Sequence, residues 1–186
     1  MRKIVVFASG SGSNFQSIRD FFQHKQKVEI ATLVCNNKKA GVMTLAKKYQ
    51  VNIILVNSIF FQSEDFLNKL KNLDPDLLVL AGFLWKIPNK IVKSFRKRIV
   101  NIHPSLLPKY GGKGMYGMNV HKAVFNNKEK QSGLTIHYVN EEYDKGGVIF
   151  QKTVDVDVKT PEQLSEKILK LEHHYYPKII KQILYG

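Results

Sequence analysis

Asn101, His103, His137 and Asp144 are the side chains of this sequence best suited to acid–base chemistry at a carbonyl. Asn101 and His103 stand two apart in Asn101-Ile102-His103-Pro104-Ser105-Leu106-Leu107-Pro108, behind the apolar run Arg98-Ile99-Val100. Strand side chains alternate faces, so both project from the same face if the strand runs to its end. Pro104 restrains His103 to an extended backbone. An amide can donate to a carbonyl oxygen as it gains charge, and an imidazole can move a proton near neutral pH. Asp144 lies in a turn before Gly146-Gly147, and a carboxylate beside His103 is expected to raise its pKa and hold it protonated. His137, upstream of that turn, could orient Asp144. Taken singly, each has a plainer reading: a strand end with a satisfied histidine, and a turn-forming aspartate.

A second stretch, Ser9-Gly10-Ser11-Gly12-Ser13-Asn14, joins an apolar run to the helical spacing Phe15, Ile18, Phe21, Phe22. Backbone N–H groups at such a helix start, with the macrodipole, favour a phosphate. Ser13 and Asn14 are expected to cap the helix and add side-chain donors. The pattern lacks the third glycine of a dinucleotide fingerprint, and no Gly-Lys-Ser/Thr is present for a P-loop. A monophosphate or other small anion remains.

These groups need a scaffold. Apolar or alternating runs predict strands over 3–9, 28–35, 51–56, 77–81, 98–103, 131–139 and 148–156, with helices over 41–49, 63–73, 89–95 and 120–127 between them. Thr160-Pro161 signals the start of a last helix carrying Leu164, Ile168, Leu171, Tyr175 and 179–184. Repeated strand–helix steps imply an α/β, single-domain, doubly wound, mostly parallel sheet, with antiparallel C-terminal strands, over residues 1–186. Ligands of such sheets bind beyond the carboxyl ends of the strands. That edge gathers Ser9–Asn14, Gly82–Ile87 and Asn101–Gly117.

Composition narrows the function classes. No apolar run approaches the roughly 20 residues of a membrane helix, which points away from a membrane partner. The lone Cys35 excludes an internal disulfide, reads as a small core residue and suits a cytoplasmic setting. The six histidines show no His-Glu-x-x-His and there is no cysteine cluster, so no metal is expected. Net charge is +14, but 25 of the 29 basic residues are lysines scattered over many segments. They read as solvated faces that attract anionic small molecules and not as a nucleic-acid stripe.

The block Asn101 to Pro108, with Gly133-x-Thr135-Ile136-His137-Tyr138-Val139 and Asp144-x-Gly146, closely resembles the signature of the folate-dependent formyltransferases. Ser9 to Gln16 and Leu171-Glu172-His173 resemble the branch of that family acting on phosphoribosylglycinamide in purine biosynthesis. The resemblance implies a Rossmann-like fold, 10-formyltetrahydrofolate as co-substrate, and Asn101, His103 and Asp144 as the catalytic set with His137 in support. It places the acceptor phosphate on Gly12, Ser13 and Asn14, and the rest of the acceptor near Glu172 and Lys170. Folate would lie along Leu84, Trp85, Lys86, Ile87, Asn140 and Glu141. Small-molecule partners and a monomer or homodimer follow. Hydrolysis of the formyl donor, or transfer to another amine, is the alternative; relatives with those activities carry further domains. Leu84-Trp85-Lys86 replaces a Met-Arg pair common in the family, the Gly111–Met118 loop is longer and richer in glycine, and Asn119 stands where relatives often have histidine.

Overall fold

A computed structural model describes residues 1–23 and 27–186. Its framework is a seven-stranded sheet of order β3-β2-β1-β4-β5-β6-β7. The strands are β1 (Arg2–Phe7), β2 (Val28–Cys35), β3 (Asn52–Leu55), β4 (Leu77–Leu80), β5 (Ile99–His103), β6 (Gln131–Tyr138) and β7 (Val148–Asp155). The first five pair in parallel, whereas β5–β6 and β6–β7 are antiparallel, as expected from the sequence. The parallel strands are short apolar runs because both faces are covered.

Alternation divides the core. Ile4, Val6, Leu77, Val79, Val100, Ile102, Leu134 and Ile136 face α1 (Ser13–Phe22), α2 (Gly41–Lys48), α6 (Met118–Asn126) and α7 (Pro161–Tyr185). Val5, Phe7, Leu78, Leu80 and Ile99 face α3 (Ser58–Phe61), α4 (Glu64–Leu73) and α5 (Asn89–Ser94). Cys35 is fully buried in the first cluster, as its setting suggested.

The differences from expectation are local. The four-residue α3, capped by the Asn57 side chain accepting from Phe60 N–H, is too short to leave a periodic signal. Helix α7 passes through Pro177 without ending. Ser13 and Asn14 do not cap α1: Gly12 does, at φ 86° and without a side-chain bond. A Cβ on Gly12 would lie 2.7 Å from Val42 Cβ, so the loop after β1 closes on α2 only with glycine there.

Candidate active site

Strand order reverses between β1 and β4, and the crevice at such a switch point is where α/β sheets hold ligands. Here the two departing loops are stitched together: Ser9 N–H donates to Gly82 C=O at 3.1 Å, and Leu84 N–H to Ser9 Oγ at 3.1 Å. Beside them opens a cavity of about 550 Å³ lined by the 82–87 loop, the end of β5, the 112–117 loop and the 140–144 turn.

Asn101 and His103 continue the row begun by Ile99 and reach past the core into this cavity. The antiparallel register sets His137 of β6 directly opposite Asn101, and Thr135 opposite His103. Thr135 pins the turn after His103, since its hydroxyl donates to Ser105 C=O at 2.6 Å and accepts from Leu107 N–H at 3.0 Å. Asp144 enters from the turn after β6. That turn is tight: a Cβ on Gly146 would come within 1.6 Å of Tyr138 C=O, so only glycine brings the chain round at that place.

The four side chains expected to act together do converge. His137 Nδ1 lies 2.8 Å from Tyr138 C=O, which can only accept, so Nδ1 carries the proton. Nε2 then accepts from Asn101 Nδ2 at 3.1 Å, which fixes the amide's orientation and leaves its second N–H free. His103 Nε2 is likewise committed to a carbonyl, that of Tyr110 at 2.8 Å. His103 Nδ1 therefore faces Asp144 Oδ2 at 3.7 Å, while Asp144 Oδ1 lies 3.6 Å from His137 Nε2. Gly112 N–H donates to Asp144 Oδ2 at 2.9 Å.

One electrostatic expectation is overturned. Burial pulls His103 below the ordinary imidazole value, further than the Asp144 charge and the Tyr110 carbonyl push it up, and His137 adds to the pull. Asp144 does raise His103, but the ring is 4% exposed and loses more from desolvation than it gains. Asp144 is itself partly desolvated, yet the imidazoles of His137 and His103 and the Gly112 amide hold it below the usual carboxylate value. The resting pair is a neutral imidazole beside an ionised carboxylate. Behind it, burial and the nearness of His103 lower His121 to about 4.

The helix start after β1 forms a second polar site. Asn14 is buried, and one N–H of its Nδ2 donates to Glu172 at 2.6 Å, across 158 positions of sequence. The backbone N–H groups of the first turn and the Ser13 hydroxyl lie beside it. Asn14 Oδ1 is buried without a partner. Burial raises Glu172 to about 7, with the Asn14 bond opposing, and among the described residues no cation pairs with it. Lys170 is not brought to this site. It is exposed, two positions away on α7, and about 200° around the helix from Glu172.

Leu84, Trp85, Lys86, Ile87 and Asn140 all line the cavity, with Ile87 buried and Leu84 half-exposed as an apolar slot requires. Trp85 is anchored against Phe61 and Phe83 at ring separations of 5.5 and 6.3 Å. Glu141 is not in the lining; its neighbour Glu142 is, with Tyr143, whose ring lies 5.6 Å from Lys86 Nζ. Sequence reasoning also missed Gly112, Met115 and Tyr116 on the opposite wall. The glycine-rich loop was the signal there, but spacing in an irregular loop does not say which side chains turn inward. Among the described residues no group of three or more His, Cys, Asp or Glu side chains could hold a metal ion, and no helix is long and apolar enough to cross a membrane.

Residues 2–180 match the family described as formyl transferase. The chain is 38% identical over 190 residues to the chloroplastic phosphoribosylglycinamide formyltransferase of Arabidopsis thaliana, covering 98% of itself and 65% of that protein. It covers 61% of the Vigna unguiculata counterpart, so it spans a little under two thirds of these plant relatives. With the Bacillus subtilis phosphoribosylglycinamide formyltransferase it shares 34% identity, covering 99% of this chain and 95% of that one. The crystal structure of phosphoribosylglycinamide formyltransferase from Bacillus halodurans superposes with a TM-score of 0.90 at 30% identity, over 100% of this chain and 96% of that one. Fold, converging side chains and similarity over nearly the whole of this chain agree: the chain belongs to the formyl transferase family.

Proposed function

We propose that this protein transfers the formyl group of 10-formyltetrahydrofolate to the amine of phosphoribosylglycinamide, a step of purine biosynthesis. The observation that carries this reading is the convergence of Asn101, His103, His137 and Asp144 on one cavity, beside an anion-binding helix start. A volume of about 550 Å³ with an apolar side at Ile87 and Leu84 suits a flat heterocycle. Gly82–Ile87 and Asn140 hold the folate; the first-turn N–H groups after Gly12, with Ser13, hold the acceptor phosphate. Glu172, fixed by Asn14, meets polar groups of the acceptor. The net charge of +14 draws in both anionic substrates.

The free Asn101 N–H donates to the formyl oxygen as an amine adds to the formyl carbon and charge builds on that oxygen. His103 rests neutral, so its bare Nδ1 takes the proton that the amine sheds on addition. Asp144 stabilises the imidazolium so formed, and His103 returns the proton to the departing folate nitrogen as the carbon–nitrogen bond breaks. His137 keeps the Asn101 amide in its donating orientation. The protein works on small molecules as a cytoplasmic monomer or homodimer.

The phosphate assignment is tested by comparing phosphoribosylglycinamide with its dephosphorylated form as acceptors. Loss of charge-assisted hydrogen bonds should raise the acceptor KM about 10- to 100-fold and leave the folate KM in place. Equal acceptor KM values would show that the phosphate is bound elsewhere or not at all.

A further inference from the structure

A neutral imidazole has one bare nitrogen, and in this site two acceptors compete to decide which. Asp144 Oδ2, 3.7 Å from His103 Nδ1, draws the ring proton to Nδ1; Tyr110 C=O, 2.8 Å from Nε2, draws it to Nε2. With the proton at Nδ1 the bare nitrogen would point at the Tyr110 loop, where there is nothing to deprotonate. The competition is therefore decided by how firmly the Tyr110 carbonyl is held.

It is held from behind. Tyr110 has φ 57°, a left-handed backbone that a bulky L residue adopts only when its surroundings impose it. The surroundings that do so lie on the far side from the cavity. The Tyr110 hydroxyl donates to Glu129 Oε1 at 2.9 Å and accepts from Asn127 Nδ2 at 2.9 Å. Glu129 also accepts from Lys109 Nζ at 3.1 and 3.3 Å, and Lys109 C=O accepts from Ser105 Oγ at 2.7 Å. Glu129 and Asn127 belong to the turn that ends α6, whose Glu129 N–H is bonded to Val124 C=O. A polar strap thus runs from the end of α6, through the tyrosine ring, to the backbone behind His103.

We propose that Tyr110 and Glu129 are positioning residues that fix His103 in the Nε2–H form and so make Nδ1 the nitrogen that exchanges protons with substrate. The inference rests on His103 acting as proposed above. The groups facing His103 are Asp144, His137 from β6, His121 from α6 and the Tyr110 carbonyl; of these only the carbonyl is adjusted by the strap.

The test reads the ring nitrogens directly. In protein with ¹⁵N-labelled histidine, wild-type His103 should show a protonated Nε2 and a bare Nδ1. Tyr110→Phe and Glu129→Ala should each move neutral His103 toward the Nδ1–H form and lower kcat about 3- to 10-fold, with the acceptor KM unchanged. Glu129→Gln keeps an oxygen for the hydroxyl and should retain the wild-type tautomer and rate. Wild-type ring shifts in Tyr110→Phe and Glu129→Ala overturn the inference, as does a shifted tautomer with native kcat. His103→Ala separates the two levels: native turnover in that variant would overturn the assignment of His103 itself, whereas its inactivity alongside unshifted Tyr110→Phe spectra would overturn the strap alone.

Discussion

His103→Ala should lower kcat by about 10³-fold, with substrate KM values changed only a few-fold and the circular dichroism spectrum intact. Positioned proton transfer contributes about 10²–10⁴ in rate, and the same side chain supplies the charge that meets the developing oxyanion. Fold should survive because β5 is held on both sides by β4 and β6 and the following turn by Thr135. The pH profile gives the sign of the mechanism. A base must be neutral to act, and burial has moved His103 below its ordinary value, so kcat/KM should be flat at neutral pH and fall as pH drops through the His103 pKa. Asp144→Asn removes a group that pushes His103 up and should shift that acid limb to still lower pH. A rate that instead falls as pH rises through the imidazole range would mean that His103 enters the reaction already charged.

Glu172→Gln should make the protein more stable at pH 8 while weakening acceptor binding. The carboxyl of the unfolded chain titrates near ~4.3, that of native Glu172 at about 7. Between those values the native state holds a proton that the unfolded state has released, so stability falls as pH rises and the full cost is present above about 7. At about 1.4 kcal/mol per pH unit the cost at pH 8 is on the order of 3 kcal/mol. Gln keeps the shape and an oxygen for Asn14 but never ionises. Its Tm at pH 8 should therefore exceed the wild-type value by roughly 6–12 °C, and the gap should close by about pH 4. Parallel stability profiles would show that Glu172 is not desolvated as described. Keeping an uncompensated carboxyl next to the orphaned Asn14 Oδ1 makes structural sense only if a ligand completes the pair, which is why the acceptor KM should rise in the same variant.

The sheet could be read from the chain because its parallel strands are uniformly apolar and its helices periodic; even the antiparallel edge followed from the hairpin-like pair of runs at 131–139 and 148–156. Asn101 and His103 could be read as partners from strand periodicity, whereas Asp144, in a turn that periodicity does not place, joined them through the resemblance of its sequence block to the formyltransferase signature. The protonation of His103 could not, since the sign of its shift depends on burial by residues distant in sequence, and desolvation outweighs the Asp144 that is visible nearby. Asn14 illustrates the same limit: its partner, Glu172, comes from α7, and no local pattern in either segment predicts the bond. Tyr110 escaped notice for another reason, acting on His103 through a backbone carbonyl that carries no residue-type signature. Glu141 and Glu142 show how a turn defeats periodicity, as nothing in the spacing tells which of two adjacent carboxylates faces the cavity.

The central claim is transfer of a one-carbon unit to an amine and not to water. Supplying 10-formyltetrahydrofolate with ¹³C in the formyl group, together with phosphoribosylglycinamide, and following the carbon by NMR tests it directly. The label should appear as a formamide on the acceptor, in step with release of tetrahydrofolate and only when acceptor is present. Label accumulating as free formate, at a rate indifferent to the acceptor, would contradict the account.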